Sequence, residues 1–264
     1  MRVDWALATD TGRVRTQNED SAIVREADGI AVLCDGMGGH LAGEVASRIG
    51  VTAFVESMGR RAMAEGNPNP VTPMISAVRA ANDAIYEAAR SATEHAGMGC
   101  TLVALRMFEG RAFFVSVGDS RLYRIRAGAV AQVTEDHTRL RMFARLGIPL
   151  DPGEARMLRG VLTRALGTSP GIDVDYGEIG TMAGDIWLLC SDGLTDELTD
   201  EAIGAILAES PVAREAANRC VREAIRAGGR DNVTVVVARV IDGGTPGAPG
   251  EKLPEPMTDP APPA

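Results

Sequence analysis

Thr101-Leu-Val-Ala-Leu-Arg-Met107-Phe-Glu109-Gly110-Arg-Ala112-Phe-Phe-Val-Ser-Val117-Gly118-Asp119-Ser120-Arg-Leu122-Tyr-Arg-Ile-Arg126 carries three apolar runs back to back. Thr101–Met107, Ala112–Val117 and Leu122–Arg126 are rich in Val, Leu, Ile and aromatic residues, the composition of a strand. Glu109-Gly110 between the first two is a hairpin signal. Gly118-Asp119-Ser120 stops the second run.

The same grammar extends outward. Val3–Thr9, Ile30–Cys34, Ile186–Cys190 and Val233–Val240 read as further strands. Leu41–Met58 and Thr72–Ala92 read as helices. Ala217, Cys220, Val221, Ala224 and Ile225 repeat at the spacing of a core-facing helical stripe. Strands come in runs and do not alternate with helices, which favours antiparallel sheets with helices packed outside. Residues 1–242 are expected to form one domain, with Asn67-Pro68-Asn69-Pro70 as an internal loop. Residues 243–264 hold seven of the fourteen prolines and four glycines. They offer little to bury, so a disordered tail is expected.

Bulk properties exclude several functions. The 264 residues carry a net charge of -9 and no basic run, which argues against a nucleic-acid partner. Lys252 is the only lysine, so a P-loop nucleotidase or a kinase lacks its phosphate-binding lysine. That bias toward arginine hints at a GC-rich bacterial source. Cys34, Cys100, Cys190 and Cys220 form no CxxC pair and read as buried, reduced thiols. No apolar stretch has membrane-spanning length, and acids in the first ten residues argue against a signal peptide. A cytoplasmic protein without a membrane partner is expected.

The placement of acids is more informative. Asp35-Gly36 ends one apolar run, and Ser191-Asp192-Gly193 ends another. Gly118-Asp119 ends a third, Asp231-Asn232 stands directly before a fourth, and Glu19-Asp20 precedes Ser21–Val24. Each alone is an ordinary turn acid. Five together are harder to dismiss: if neighbouring strands share a sheet, their ends can bring these carboxylates into one cleft. Clustered carboxylates repel, and a divalent cation relieves that repulsion. Oxygen ligands without a His or Cys cluster select Mg²⁺ or Mn²⁺ over zinc. Two such ions can activate water and clamp a phosphoryl group.

These residues carry a resemblance. Arg15-Thr-Gln-Asn18-Glu19-Asp20, Asp35-Gly36-Met37-Gly38-Gly39-His40, Gly99-Cys-Thr101, Gly118-Asp119-Ser120-Arg121, Asp136-His137, Thr163-Arg164-Ala165-Leu166-Gly167, Ser191-Asp192-Gly193-Leu194 and Asp231-Asn232-Val-Thr234 occur in an order that resembles the PPM (type 2C) family of metal-dependent serine/threonine phosphatases, bacterial type. The resemblance runs from about Val3 to Ile241. It implies an α+β fold, a four-layer αββα sandwich of two antiparallel sheets flanked by helices. It implies that Asp35, Asp192 and Asp231 hold one ion, and that Glu19, Asp35 and the Gly36 carbonyl hold a second. Asp119 with Asp192 would hold a third. Arg15 would bind phosphate, and Asp20 and Asn232 would orient the ligands. The implied reaction is hydrolysis of phosphoserine and phosphothreonine by a hydroxide bridging Mn²⁺ or Mg²⁺ ions, with no phosphoenzyme. The implied partners are phosphorylated proteins, opposite a serine/threonine kinase, with the enzyme a monomer.

Two positions depart from the family pattern. Met37 stands where many eukaryotic members carry a histidine proposed as general acid. His40 is the candidate here, with helix capping as the competing role. His137 reads as fixing a turn with Asp136. Thr138–Leu162 matches the family's flap in place, but Met157-Leu158 and Gly160 replace its usual His-Pro and Asn.

Two rival functions remain on the sequence. Cys100 to Arg106 and Cys220 to Arg226 match the Cys-x5-Arg pattern of thiolate phosphatases, but the intervening residues read as strand and helix and not as a phosphate-cradling loop. A non-catalytic binding module on the same fold is the other rival. Such a protein is expected to lose its metal carboxylates, and all five are present.

Overall fold

The computed structural model describes residues 1–38, 42–62, 70–243, 253 and 255–262. In chain order the strands are β1 Arg2–Asp10, β2 Asp20–Arg25, β3 Ile30–Met37, β4 Gly99–Cys100, β5 Leu102–Phe108, β6 Arg111–Val117, β7 Arg121–Arg126, β8 Ala129–Gln132, β9 Val174–Gly180, β10 Ile186–Cys190, β11 Val233–Asp242 and β12 Met257–Asp259. The helices are α1 Ala42–Ala62, α2 Val71–Ser91, α3 Arg139–Arg145, α4 Pro152–Leu158, α5 Asp192–Thr195, α6 Asp200–Glu209 and α7 Ala213–Ala227.

The strands form two sheets, ordered β1-β11-β10-β7-β8 and β12-β9-β6-β5-β3-β2, with β4 beside β3. The sheet pairings are antiparallel, and β5 and β6 are joined through Glu109-Gly110 as a hairpin.

Three apolar layers hold four structural layers together. Trp5, Leu33, Phe114, Leu122, Trp187 and Val236, drawn from both sheets, fill the space between them. Met74, Val78 and Ile85 of α2 pack with Phe54 of α1 on the outer face of the larger sheet. Ile203 and Leu207 of α6 join Cys220 and Ala224 of α7 on the smaller one. Fully burying one large apolar side chain contributes about 1.5–3 kcal/mol. The result is the αββα sandwich, and α7 buries Ala217, Cys220, Val221 and Ala224 as its stripe predicts.

The tail requires a correction. Met257–Asp259 is not disordered: it pairs with β9 as the edge strand of the larger sheet. Arg79 of α2 pairs with Asp259 at 2.7 Å and donates to the Pro260 carbonyl at 2.7 Å. Leu253 packs against the inter-sheet core. Backbone pairing compensates for the low apolar content that suggested disorder. The expected boundary at 242 therefore divides one sheet. Among the described residues, no helix is long and apolar enough to cross a membrane.

Candidate active site

One end of the sandwich opens into a cleft of about 810 Å³, lined by Arg15, Glu19, Asp35, Gly36, Asp119, Asp192 and Asp231 among others. Both sheets contribute. Glu19 precedes β2, Asp35 lies within β3, and Asp119 follows β6, all in the larger sheet. Asp192 follows β10 and Asp231 precedes β11, in the smaller one. The registers bring strand ends to a common level: Asp20 stands opposite Asp35, and Cys190 opposite Val235.

Backbone contacts fix these carboxylates. The Asp35 N–H donates to Thr101 Oγ1 at 2.9 Å, and the Thr101 N–H donates to the Asp35 carbonyl at 2.8 Å. Thr101 Oγ1 lies 2.7 Å from Ser120 Oγ, which links the Asp35 strand to the turn carrying Asp119. A side chain at Gly36 would strike the carbonyl oxygens of Gly43 and Glu19, so only glycine lets these segments approach so closely. Asn232 accepts from the Glu19 N–H at 2.8 Å and donates to the carbonyls of Thr11 and Gln17 at 2.9 and 2.8 Å. It thus clamps the segment carrying Arg15 and Glu19 onto the start of β11. Ser191 Oγ donates to Asp20 Oδ2 at 2.8 Å.

The electrostatics reflect crowding. Burial pushes Asp35 well above the usual carboxylate range, and Asp20, Asp192 and Asp119 push it further. Burial, then the charges of Asp231 and Asp196, lift Asp192 to about 6. Burial, then Asp192 and Asp136, lift Asp119 to about 7. Burial lifts Asp20 to about 7 despite the hydroxyls of Thr234 and Ser191. Arg15 donates to Asp231 at 2.7 Å, the contact that most raises its own pKa.

These residues fit divalent cations. Buried carboxylates that disfavour their own ionised forms gain most from a nearby positive charge. Asp20 Oδ1 is buried without a hydrogen-bond partner among the described residues. The donors are all oxygen, as Mn²⁺ and Mg²⁺ prefer. Among the described residues, no three His, Cys, Asp or Glu side chains close into a preformed cage around one point. The carboxylates line the cleft side by side, which suits ions that keep several waters.

Other residues fall differently from expectation. His40 lies outside the described residues. His137 does not fix a turn with Asp136. Its Nδ1 accepts from the Gly118 N–H at 3.0 Å, while Asp136 pairs with Arg121 at 2.6 Å. Thr138–Leu162 forms α3 and α4 on a base closed by the Thr138–Leu162 bridge. Its last residues, Gly160, Val161 and Leu162, line the cleft. Asp196 also lines it. The sequence reading missed Asp196, although it lies one helical turn beyond Asp192. All four cysteines are free and buried. Cys100 sits in a strand, and burial pushes the Cys220 thiol, on a helix, up to about 12. Neither stands in a loop whose amides could cradle phosphate.

Comparison with known proteins agrees with this geometry. The profile of the family described as Protein phosphatase 2C matches residues 12–227. Serine/threonine protein phosphatase PstP of Mycobacterium tuberculosis is 38% identical over 241 residues, covering 90% of this chain and 45% of that protein. The chain thus spans about half the length of that relative. Serine/threonine phosphatase stp of Listeria monocytogenes is 33% identical over 233 residues, covering 87% of this chain and 92% of that protein. The crystal structure of the PstP catalytic domain in complex with two manganese ions superposes with a TM-score of 0.80 at 38% identity, covering 91% of this chain and 99% of that one. Stp1 from Staphylococcus aureus superposes with a TM-score of 0.80 at 30% identity, covering 92% and 96%. The chain belongs to the protein phosphatase 2C family.

Proposed function

We propose that this chain is a metal-dependent protein phosphatase that hydrolyses phosphoserine and phosphothreonine. The observation that carries this reading is the convergence of Glu19, Asp35, Asp119, Asp192 and Asp231 from both sheets on one cleft with Arg15. Asp35, Asp192 and Asp231 would hold one ion of Mn²⁺ or Mg²⁺. Glu19, Asp35 and the Gly36 carbonyl would hold a second, and Asp119 with Asp192 a third. Bound ions supply Lewis acidity, drawing charge from the phosphoryl group and acidifying water.

The protein's own groups do the rest. Arg15 offers a planar fork to two phosphate oxygens, after exchanging its contact with Asp231 for the substrate. Asn232 keeps Arg15 and Glu19 in register with Asp231. Asp20, anchored by Ser191, backs the Asp35 strand. Among the described residues lining the cleft there is no cysteine. That removes a phosphocysteine from the route, and direct attack by water, with no phosphoenzyme, is the course proposed here. A non-catalytic binding module would gain nothing from keeping so many carboxylates at such electrostatic cost. The substrates are phosphorylated proteins, so the enzyme opposes a serine/threonine kinase. It acts as a monomer in the cytoplasm, without nucleic acid or membrane.

Phosphate release from matched phosphothreonine, phosphoserine and phosphotyrosine peptides tests this reading. The first two should turn over, and Asp192→Ala should abolish both. Equal turnover of all three, or activity that survives Asp192→Ala, would contradict it.

A further inference from the structure

We infer that Thr258, on the docked C-terminal strand, is a positioning residue for Asp119, so that the tail is a working part of the metal site. The inference rests on the reading of Asp119 as a metal ligand. Thr258 Oγ1 donates to Asp175 Oδ1 at 2.7 Å. The other oxygen, Asp175 Oδ2, lies 3.0 Å from His137 Nε2. On the far side of that ring, Nδ1 accepts from the Gly118 N–H at 3.0 Å, and the His137 N–H returns a bond to the Gly118 carbonyl at 2.9 Å. Asp119 is the next residue.

The tautomer follows from this pattern. Nδ1 accepts, so the ring proton sits on Nε2 and points at Asp175. The Arg164 guanidinium, 3.2 Å from Nε2, then finds its acceptor in Asp175 Oδ1, at 2.8 Å. Asp175 and His137 are both buried, at 6% and 7% exposure, so each contact is shielded from water and strongly directional. The turn they hold has little freedom of its own. Gly118 has φ +100°, and a side chain there would press into Thr101 at 2.6 Å.

Thr258 reaches Asp175 only because β12 pairs in this register, with Thr258 opposite Asp175. If the strand leaves, Asp175 loses a donor, His137 loses part of its restraint, and the Gly118–Asp119 turn loosens. Partners that orient metal ligands typically change metal affinity 10–100-fold, and a group two contacts beyond His137's hold on the turn should act below that range.

Mn²⁺ titration by calorimetry on the full chain tests the inference, with Asp119→Asn identifying the binding step that depends on Asp119. Thr258→Val, which keeps shape and removes the hydroxyl, should weaken that step roughly threefold to tenfold. It should leave the other steps unchanged. Activity on p-nitrophenyl phosphate should fall at limiting Mn²⁺ and recover at saturation. Thr258→Ser should restore wild-type behaviour. If Thr258→Val lowers the melting temperature yet leaves every Mn²⁺ step at the wild-type value, Thr258 merely fastens the strand and the inference is wrong. If Asp119→Asn itself moves no step, Asp119 is not a ligand and both readings fall together.

Discussion

Arg15 lays its guanidinium against Asp231, with Nη2 2.7 Å from Oδ2. One arginine thus touches a carboxylate proposed to hold metal and also lines the cleft where phosphate would sit. The pair is half exposed, so it contributes little to stability. Its significance is competition: a cation held by Asp231 would free Arg15 for an anion.

Arg15→Ala should therefore separate the two functions. Losing one charge-assisted contact to phosphate costs about 1.5–3 kcal/mol, roughly ten- to a hundredfold in kcat/KM. Mn²⁺ affinity should hold or rise, because a competing cation is gone. Arg15→Lys should recover little, since an ammonium lacks the planar fork. Calorimetry beside steady-state kinetics checks both. A collapse of Mn²⁺ binding in Arg15→Ala would make Arg15 a brace for the carboxylates.

Asp35→Asn should behave in the opposite way. It removes a charge from a group proposed to touch two ions, so Mn²⁺ affinity itself should drop. Turnover should fall on the order of a hundredfold or more at limiting metal. Excess Mn²⁺ should recover part of it. Wild-type Mn²⁺ affinity in this variant would place the ions elsewhere.

Acidity should control metal binding. Asp192 and Asp119 are held near 6 and 7, above the ordinary aspartate value of 3.8. Groups raised in the folded state bind extra protons there. Their stability contribution is full below about pH 4 and fades as pH rises through 6 to 7. Mn²⁺ must displace those protons, so its affinity should climb across the same window. The melting-temperature gain from Mn²⁺ should be larger at pH 8 than at pH 5. A gain independent of pH would mean these carboxyls are not the ligands.

Deleting residues 253–264 should destabilise the domain. The deletion removes β12, the Arg79–Asp259 pair and the Thr258–Asp175 bond. A net loss of about 2 kcal/mol would lower Tm by about 4–8 °C. Differential scanning fluorimetry checks this, and an unchanged Tm would show the strand to be undocked in solution.

The strands that build the site were legible because their cores are unbroken apolar runs ended by acids. Ile186–Cys190 matches its expected bounds, and β3 runs on through Asp35 to Met37 because Gly36 and Met37 pair with β4. β9 escaped notice because Val-Asp-Tyr-Gly-Glu-Ile-Gly mixes acids and glycines. It is a strand only because β6 pairs with it and buries Val174, Asp175, Gly177 and Ile179. β12 was hidden for the same reason, one step removed: its edge exists only once β9 is in place. The cluster of acids was readable from punctuation alone. The hydrogen bonds among Thr258, Asp175 and His137 join residues far apart in sequence, and no local pattern announces them.

The central claim is that the carboxylate cleft catalyses phosphate ester hydrolysis only with divalent metal. The direct measurement is phosphate release from a phosphothreonine peptide at neutral pH, using enzyme stripped with EDTA and dialysed, before and after Mn²⁺ is added. The account predicts no turnover in the stripped enzyme and full recovery with Mn²⁺. Turnover that persists in rigorously metal-free enzyme would contradict it.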